Sequence, residues 1–154
     1  MFVNRFARLA RLLPAIPVIR PDWRSQPVYV ADLGRAIAQA AADPPTHAGK
    51  TYALGGPQIL TMLELVTWIA AATGRGGKPI IALPDALAGP MARLTGWAPF
   101  APVTWDQWLM LGQDNIVSGA PGFEAFGITP AALSVVAPAW LASWRRHGRW
   151  AETA

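Results

Sequence analysis

Apolar side chains recur at spacings of three and four residues over positions 2–13, which predicts an amphipathic helix that ends before Pro14. The apolar positions of this helix are Phe2, Phe6, Leu9 and Leu13. Its basic positions, on another face, are Arg5, Arg8 and Arg11. Two prolines and an extended stretch follow, through Asp22.

Three short segments are rich in β-branched and aromatic residues and predict strands, at 26–30, 50–54 and 79–83. Their alternation with helical segments indicates an α/β fold with a small three-stranded sheet and several helices. No internal repeat or low-complexity linker interrupts the chain, so positions 1–154 are predicted to form a single domain.

Five further segments have helical character, and N-cap signals precede four of them. The predicted helices occupy 33–42, a span from 62 to about 73, 84–95, 105–113 and 130–146. Their N-cap signals are Asp32, Thr61 with Glu64 three residues later, Thr104, and Thr129 with Pro130 at the first helical position. The apolar face predicted for the helix from Met62 consists of Leu63, Val66, Ile69 and Ala70.

The composition favours a folded chain that carries some apolar surface. Hydrophobic residues make up 53% and charged residues 14%, against an average charged fraction of about 25%. Proline and glycine interrupt every apolar run before it reaches the ~20 residues that span a bilayer. The arginine-rich N-terminus is amphipathic like a mitochondrial presequence, but it lacks serine and contains Pro14 and Pro17.

Residue types that carry chemistry are sparse. The chain has no cysteine, which excludes disulfides and thiolate metal sites, and its two histidines, His47 and His147, are predicted to be solvated rather than to bind a metal. No Gly-rich dinucleotide fingerprint follows a strand. Neither Tyr29 nor Tyr52 is followed by a lysine four residues later, so no catalytic pair is assigned.

Net charge and tryptophans indicate where a partner would bind. The net charge is +4, with arginines concentrated at both ends of the chain, which favours an acidic partner or anionic lipid. No motif for nucleic-acid recognition accompanies this charge. Trp105 and Trp108 share one face of a predicted helix, which indicates either core packing or an interface. The interface candidates are Arg5, Arg8, Arg11, Trp105 and Trp108.

The segments 4–14, 26–32, 51–57, 114–119 and 126–130 together resemble the atypical extended short-chain dehydrogenases. The chain is most similar to the nucleotide-binding accessory subunit family of respiratory complex I and its bacterial relatives. The resemblance implies a partial Rossmann-like fold, the C-terminal, substrate-side part of such a protein. Family members are about twice as long and hold NADP(H) mostly in an N-terminal half, so no cofactor is expected in this chain.

The resemblance implies a non-catalytic accessory or assembly protein whose partner is respiratory complex I or its assembly machinery, with peripheral contact to a membrane. The expected location is the cytoplasm or the inner membrane surface of a bacterium, or the matrix side in a mitochondrion. The alternative is the substrate-binding half of a reductase or epimerase that needs a separate Rossmann half. Related sugar-nucleotide epimerases hold a substrate phosphate with an arginine where this chain has Ser25. Arg24, Gln26 and Tyr29 are predicted to line the remaining pocket mouth.

Overall fold

Helices dominate the computed structural model of the chain, which describes residues 2–95, 104–145 and 148. The α-helices are α1 (Phe2–Leu12), α2 (Val30–Ala42), α3 (Pro44–His47), α4 (Met62–Ala72), α5 (Asp85–Thr95), α6 (Trp105–Met110) and α7 (Leu133–Leu141). The strands are β1 (Ile16–Ile19), β2 (Arg24–Ser25), β3 (Leu60–Thr61) and β4 (Ile80–Leu83). Two 3₁₀ turns span Phe123–Phe126 and Ala142–Trp144. The predicted α/β class is confirmed.

The strands pair differently from the predicted three-stranded sheet. β1 and β4 form a parallel pair in the register Ile16 to Ile80 through Ile19 to Leu83, and β2 pairs with β3. The third predicted strand is therefore correct as β4, whereas its partner is the extended stretch after Pro14. Parallel strands need a long connection between them, and here it runs from Arg20 to Pro79.

The chain divides into two compact units, each assembled from separate stretches of sequence. The first unit contains 1–24, 61–114 and 141–154, and the second contains 25–60 and 115–140. Each crossing between units lies at ordinary sequence without a linker composition, which is why the sequence pattern shows no boundary.

A core of small and branched side chains holds the first unit together. Its buried members are Ala10, Ile16, Val18, Met62, Val66 and Ala70, and Phe6 and Trp23 pack against them. α4 begins as predicted, because Thr61 accepts from the Glu64 amide and Glu64 caps the Thr61 amide in return. Val66, Ile69 and Ala70 are buried as expected, but Leu63 is exposed and Leu65 is buried in its place.

An aromatic cluster forms the core of the second unit. Ala36 on α2 packs with the buried side chains of Phe123, Phe126 and Ile128, and Tyr52 and Leu54 pack partly against them. The predicted strands at 26–30 and 50–54 are wrong, since neither segment joins a ladder. The segment at 50–54 is joined to a distant part of the chain by a backbone hydrogen bond from the Ala53 amide to the Pro121 carbonyl.

Several helix boundaries differ from their predicted positions, including the end of the last helix, α7, which stops at Leu141 and is followed by a 3₁₀ turn instead of continuing to 146. α2 begins at Val30 with Tyr29 as N-cap, so Asp32 lies in the first turn rather than at the cap. α6 ends at Met110, where the Gly112 amide turns back to the Leu109 carbonyl. The last helix begins at Leu133 instead of 130, because the Asp32 carboxylate accepts a hydrogen bond from the Ala131 amide and holds that backbone outside the helix.

Candidate interaction surface

Helix α1 is docked on its own unit through small residues. Ala7 and Ala10 are fully buried and Phe6 packs on the core, while Leu9 and Leu13 are half-buried. The Lys78 ammonium donates to the Ala10 and Leu13 carbonyls and so closes the C-terminal end of α1. The side chain of Phe2, predicted on the same face, lies outside the described residues. The apolar stripe of α1 therefore contributes largely to the scaffold.

The basic face of α1 remains at the surface and adjoins α6. The Arg5 guanidinium donates to the Gln107 side-chain oxygen at 3.2 Å. Arg8 and Arg11 follow at three-residue spacing and are exposed. Among the arginines predicted at the C-terminal end, Arg145 binds the Ala72 carbonyl; Arg146 and Arg149, like His147, lie outside the described residues.

The two tryptophans of α6 have different environments. Trp108 is 8% exposed and packs against Ile19, Ala88 and Ala92, so the core alternative is correct for it and its assignment to an interface is wrong. Trp105 is 39% exposed, with the Arg93 guanidinium 5.9 Å from the centre of its ring. The three-residue spacing places both rings on one side of α6. Only the ring of Trp108, which lies one turn after Trp105, reaches the core.

A shallow apolar groove lies between α5 and α6. It measures about 390 Å³ and is lined by Gly89, Pro90, Arg93, Leu94, Trp105 and Trp108. The two helices pack closely at Gly89, where a Cβ would lie 3.4 Å from the Trp108 indole, an ordinary van der Waals contact. The groove thus has an apolar floor and one cationic side chain at its rim.

Of the three residues predicted to line a pocket mouth, Arg24 and Gln26 have side-chain hydrogen bonds within the fold. Arg24 donates from Nε to the Asp114 carboxylate at 2.8 Å, and its backbone amide, followed by its guanidinium, lowers the pKa of Asp114. Gln26 donates to the Gly56 carbonyl at 2.7 Å and accepts from the Val117 amide. Tyr29 is half-buried at the N-cap of α2. Arg24 belongs to the first unit and the other two to the second, and their role at a pocket remains a prediction.

Ser25 is buried and donates to the Leu60 carbonyl at 3.4 Å. Its hydroxyl is therefore turned into the fold at the position where related epimerases use an arginine.

Arg20 marks a second cavity that the sequence pattern did not reveal. It has φ 49°, the left-handed region, and is the one non-glycine residue with positive φ in the described part of the chain. Its guanidinium lies 4.1 Å from the centre of the Trp108 ring and its Nε is 3.3 Å from the Asp85 carboxylate. The cavity beside it measures about 360 Å³ and includes Asp22, Trp23 and Asp85 in its walls. β1 was not predicted from the sequence, so no local signal marked Arg20 as the residue that follows a strand.

Histidine 47 is half-buried rather than solvated as predicted. Its Nδ1 lies 2.7 Å from the Tyr52 hydroxyl, and its ring stacks on Phe126 with centroids 4.8 Å apart. No group of three or more potential metal ligands occurs in the described ranges 2–95, 104–145 and 148. Within the same ranges, no helix has the length and hydropathy required to cross a membrane.

Sequence comparisons find relatives among mitochondrial NADH dehydrogenase subunits. No protein-family profile matches the chain. It is 34% identical over 138 residues to NADH dehydrogenase (ubiquinone) 1 alpha subcomplex subunit 9 of Rattus norvegicus, a match that covers 87% of this chain and 36% of the relative. The Mus musculus subunit is 33% identical over the same shares. The Arabidopsis thaliana subunit is 33% identical over 80% of this chain and 33% of its own length.

The chain spans about a third of the length of these mitochondrial subunits. Three relatives with the same description, from animals and a plant, match it over most of its own length. The family resemblance expected from segments such as 26–32 and 51–57 is thereby confirmed: this chain is related to the accessory subunit 9 proteins of NADH dehydrogenase (ubiquinone), the respiratory complex I.

Proposed function

We propose that this chain acts as a non-catalytic accessory or assembly component of an NADH dehydrogenase of the respiratory complex I type. The observation that carries the proposal is its 33–34% identity to complex I subunits over 80–87% of its length. Three polar side chains of types common in catalytic sites support the same proposal, because each forms hydrogen bonds that hold the fold. Asp32 holds the Ala131 backbone, Gln26 holds Gly56 and Val117, and Arg24 binds Asp114.

The test is co-purification from the membranes of the source organism with a tag on the full chain. We expect the tagged chain to migrate with the NADH dehydrogenase complex in a native gel stained for NADH oxidation. A tagged chain carrying Ile69→Ala, which empties part of the buried core, is the control for a poorly folded bait. Recovery of the wild-type chain with unrelated soluble proteins only, or with no respiratory complex, contradicts the proposal.

A second candidate is the substrate-binding half of a reductase or epimerase that requires a separate dinucleotide-binding polypeptide. The segment at 50–54 favours it, because its sequence is typical of a strand and yet it finds no ladder among the described residues. A strand from another polypeptide could pair with this segment. NADPH binding that appears only after mixing with such a polypeptide, and is lost with Tyr52→Pro, would support this candidate over the accessory role.

A further inference from the structure

Strand β4 is one edge of the parallel β1–β4 pair. The Ile16 amide donates to the Pro79 carbonyl, and the bonds of a parallel ladder recur at every second residue of each strand. The backbone groups of Ile81 therefore point towards β1, whereas those of Ile80 and Ala82 point away from it. Among the described residues, no hydrogen bond reaches these outward groups. The outer edge of β4 thus offers the N–H and C=O groups of both residues to a further strand.

The outer edge of β4 has none of the features that usually protect an edge strand. Residues 80–83 include no charged residue, proline or glycine, and the Ile81 side chain is 51% exposed. The outer edge of β1 differs, because Pro17 has no N–H to donate and lies between the buried Ile16 and Val18. Two strands are also fewer than a sheet usually has. A further strand therefore fits beside β4 rather than beside β1.

An antiparallel copy of β4 satisfies all of the outward backbone groups at once. When Ile81 lies opposite Ile81 of the second copy, Ile80 pairs with Ala82 of the copy, and Ala82 pairs with its Ile80. Each of these pairs exchanges both N–H and C=O groups, so no outward donor or acceptor is left over. The two exposed Ile81 side chains then meet at the centre, at the position where cross-strand side chains lie closest.

Charges at the two ends of β4 complement each other in this arrangement. Lys78 lies two residues before the strand and Asp85 lies two residues after it, so antiparallel pairing brings each lysine to the end where the copy has its aspartate. The Asp85 side chain is 61% exposed although it also accepts from Arg20. The Lys78 ammonium uses two of its three N–H groups on the carbonyls of α1. A parallel neighbour would instead align like charges.

We propose that the outer edge of β4 binds a second copy of this chain, with the two β4 strands antiparallel about a two-fold axis. The two pairs then form one continuous sheet in the order β1–β4–β4–β1. The assembly is closed, because both copies use the same edge and none of this kind is left for a third copy. This pairing is independent of the accessory function, which is judged separately by co-purification.

The absence of native cysteine makes a cross-link at the two-fold axis a sharp test. Opposed residues of a non-hydrogen-bonded antiparallel pair have Cα atoms about 4.5 Å apart, within the range that a disulfide spans. Ile81→Cys in the full chain, treated with oxidised glutathione, is therefore expected to run as a covalent dimer in a non-reducing gel. Ile59→Cys is the matched control, because Ile59 is 50% exposed but lies in the second unit. Equal cross-linking of both variants, or none at position 81, overturns the proposal.

Light scattering after size-exclusion chromatography measures the dimer without a cross-link. The wild-type mass is expected to rise with concentration towards twice that of the monomer. Ala82→Pro removes an outward N–H and spares the ladder to β1, so it should weaken the dimer at least about tenfold. Ile81→Lys should also weaken it, because it places two ammonium groups together at the axis. Val135→Lys, at a side chain 74% exposed in the second unit, controls for the added charge.

Thermal unfolding of each variant separates loss of the dimer from loss of the fold. The edge variants are expected to unfold at the temperature of the wild-type monomer, because their substitutions lie on the outward side of β4. A wild-type chain that stays monomeric at every concentration contradicts the proposal. A dimer that survives both Ala82→Pro and Ile81→Lys contradicts it as well, since the contact then lies on another surface.

Discussion

At the scale of single residues, Asp32 shows how the structure uses a residue in a way that local sequence does not predict. Its position before an alanine-rich run predicted an N-cap, but it is buried in the first turn of α2 with 2% exposure. Its carboxylate accepts from the Ala131 amide, 99 residues away in sequence, and from Arg35. The Ala131 hydrogen bond first, and then the Arg35 guanidinium, lower the pKa of Asp32.

The lowered pKa of Asp32 predicts a dependence of stability on pH. A carboxyl group whose pKa is lower in the folded state stabilises the fold above its ordinary pKa, and this stabilisation is lost as the pH falls through the folded-state value. Urea unfolding should therefore show a free energy that falls as pH decreases below about 4. In Asp32→Asn the fall should be smaller, with the two curves separated at neutral pH and converging in acid. Parallel curves would contradict this role for the carboxylate.

Glycine 56 predicts a second effect at the residue scale. A Cβ at this position would lie 1.7 Å from the Pro27 carbonyl oxygen, so the backbone must move to accept any side chain. We expect Gly56→Ala to lower the free energy of unfolding by at least about 2 kcal/mol. Gly34→Ala is the matched control within the same unit, because Gly34 is helical with open space around it, and it should stabilise the chain by roughly 1 kcal/mol. Chemical denaturation of both variants measures the difference.

At the scale of elements, the two helices that begin with a capping box agree with their predicted starts. The capping box at Thr61 and Glu64 begins α4, and the box at Thr104 and Gln107 begins α6. The strand segments behave differently, since 50–54 has strand-like composition but no neighbouring strand among the described residues. Elements that satisfy their own backbone hydrogen bonds were predictable, whereas those that need a distant partner were not.

The α4 cap predicts a measurable contribution to stability. Thr61→Ala removes the acceptor of the Glu64 amide and should cost about 1 kcal/mol in thermal or chemical unfolding. Thr67→Ala on the same helix removes only a hydroxyl bonded to the Leu63 carbonyl, an exposed contact that does not cap the helix. Since alanine is the better helix former, that variant should lie within about 0.5 kcal/mol of the wild type. Equal costs for the two variants would show that the cap is not the source.

At the scale of the whole molecule, the sequence contains no Gly-rich fingerprint after a strand, the motif that cradles a pyrophosphate in dinucleotide-binding proteins. The turn at 55–57 follows strand-like sequence, but it contains Pro57, and its glycines allow close contacts with the Gln26 side chain and the Pro27 carbonyl. The glycines of this turn therefore serve packing within the second unit.

We predict that this chain alone binds neither NADH nor NADPH with useful affinity. The physical reason is that a Gly-rich turn leading into a helix supplies the backbone donors for the pyrophosphate, and the sequence contains none after a strand. Isothermal titration calorimetry of the purified chain with each nucleotide should give no saturable heat. A micromolar dissociation constant, about −8 kcal/mol, would contradict the prediction.

The sequence by itself determined the α/β class, the starts of α4 and α6, the position of β4 and the family resemblance, because each depends on bonds within a few residues or on a preserved order of residues. Tertiary structure alone decided that β1 pairs with β4, that Trp108 is buried while Trp105 is exposed, and that Asp32 holds a loop. These features depend on groups brought together from distant positions, where hydrogen-bond partners and loss of solvent, rather than local periodicity, set the outcome.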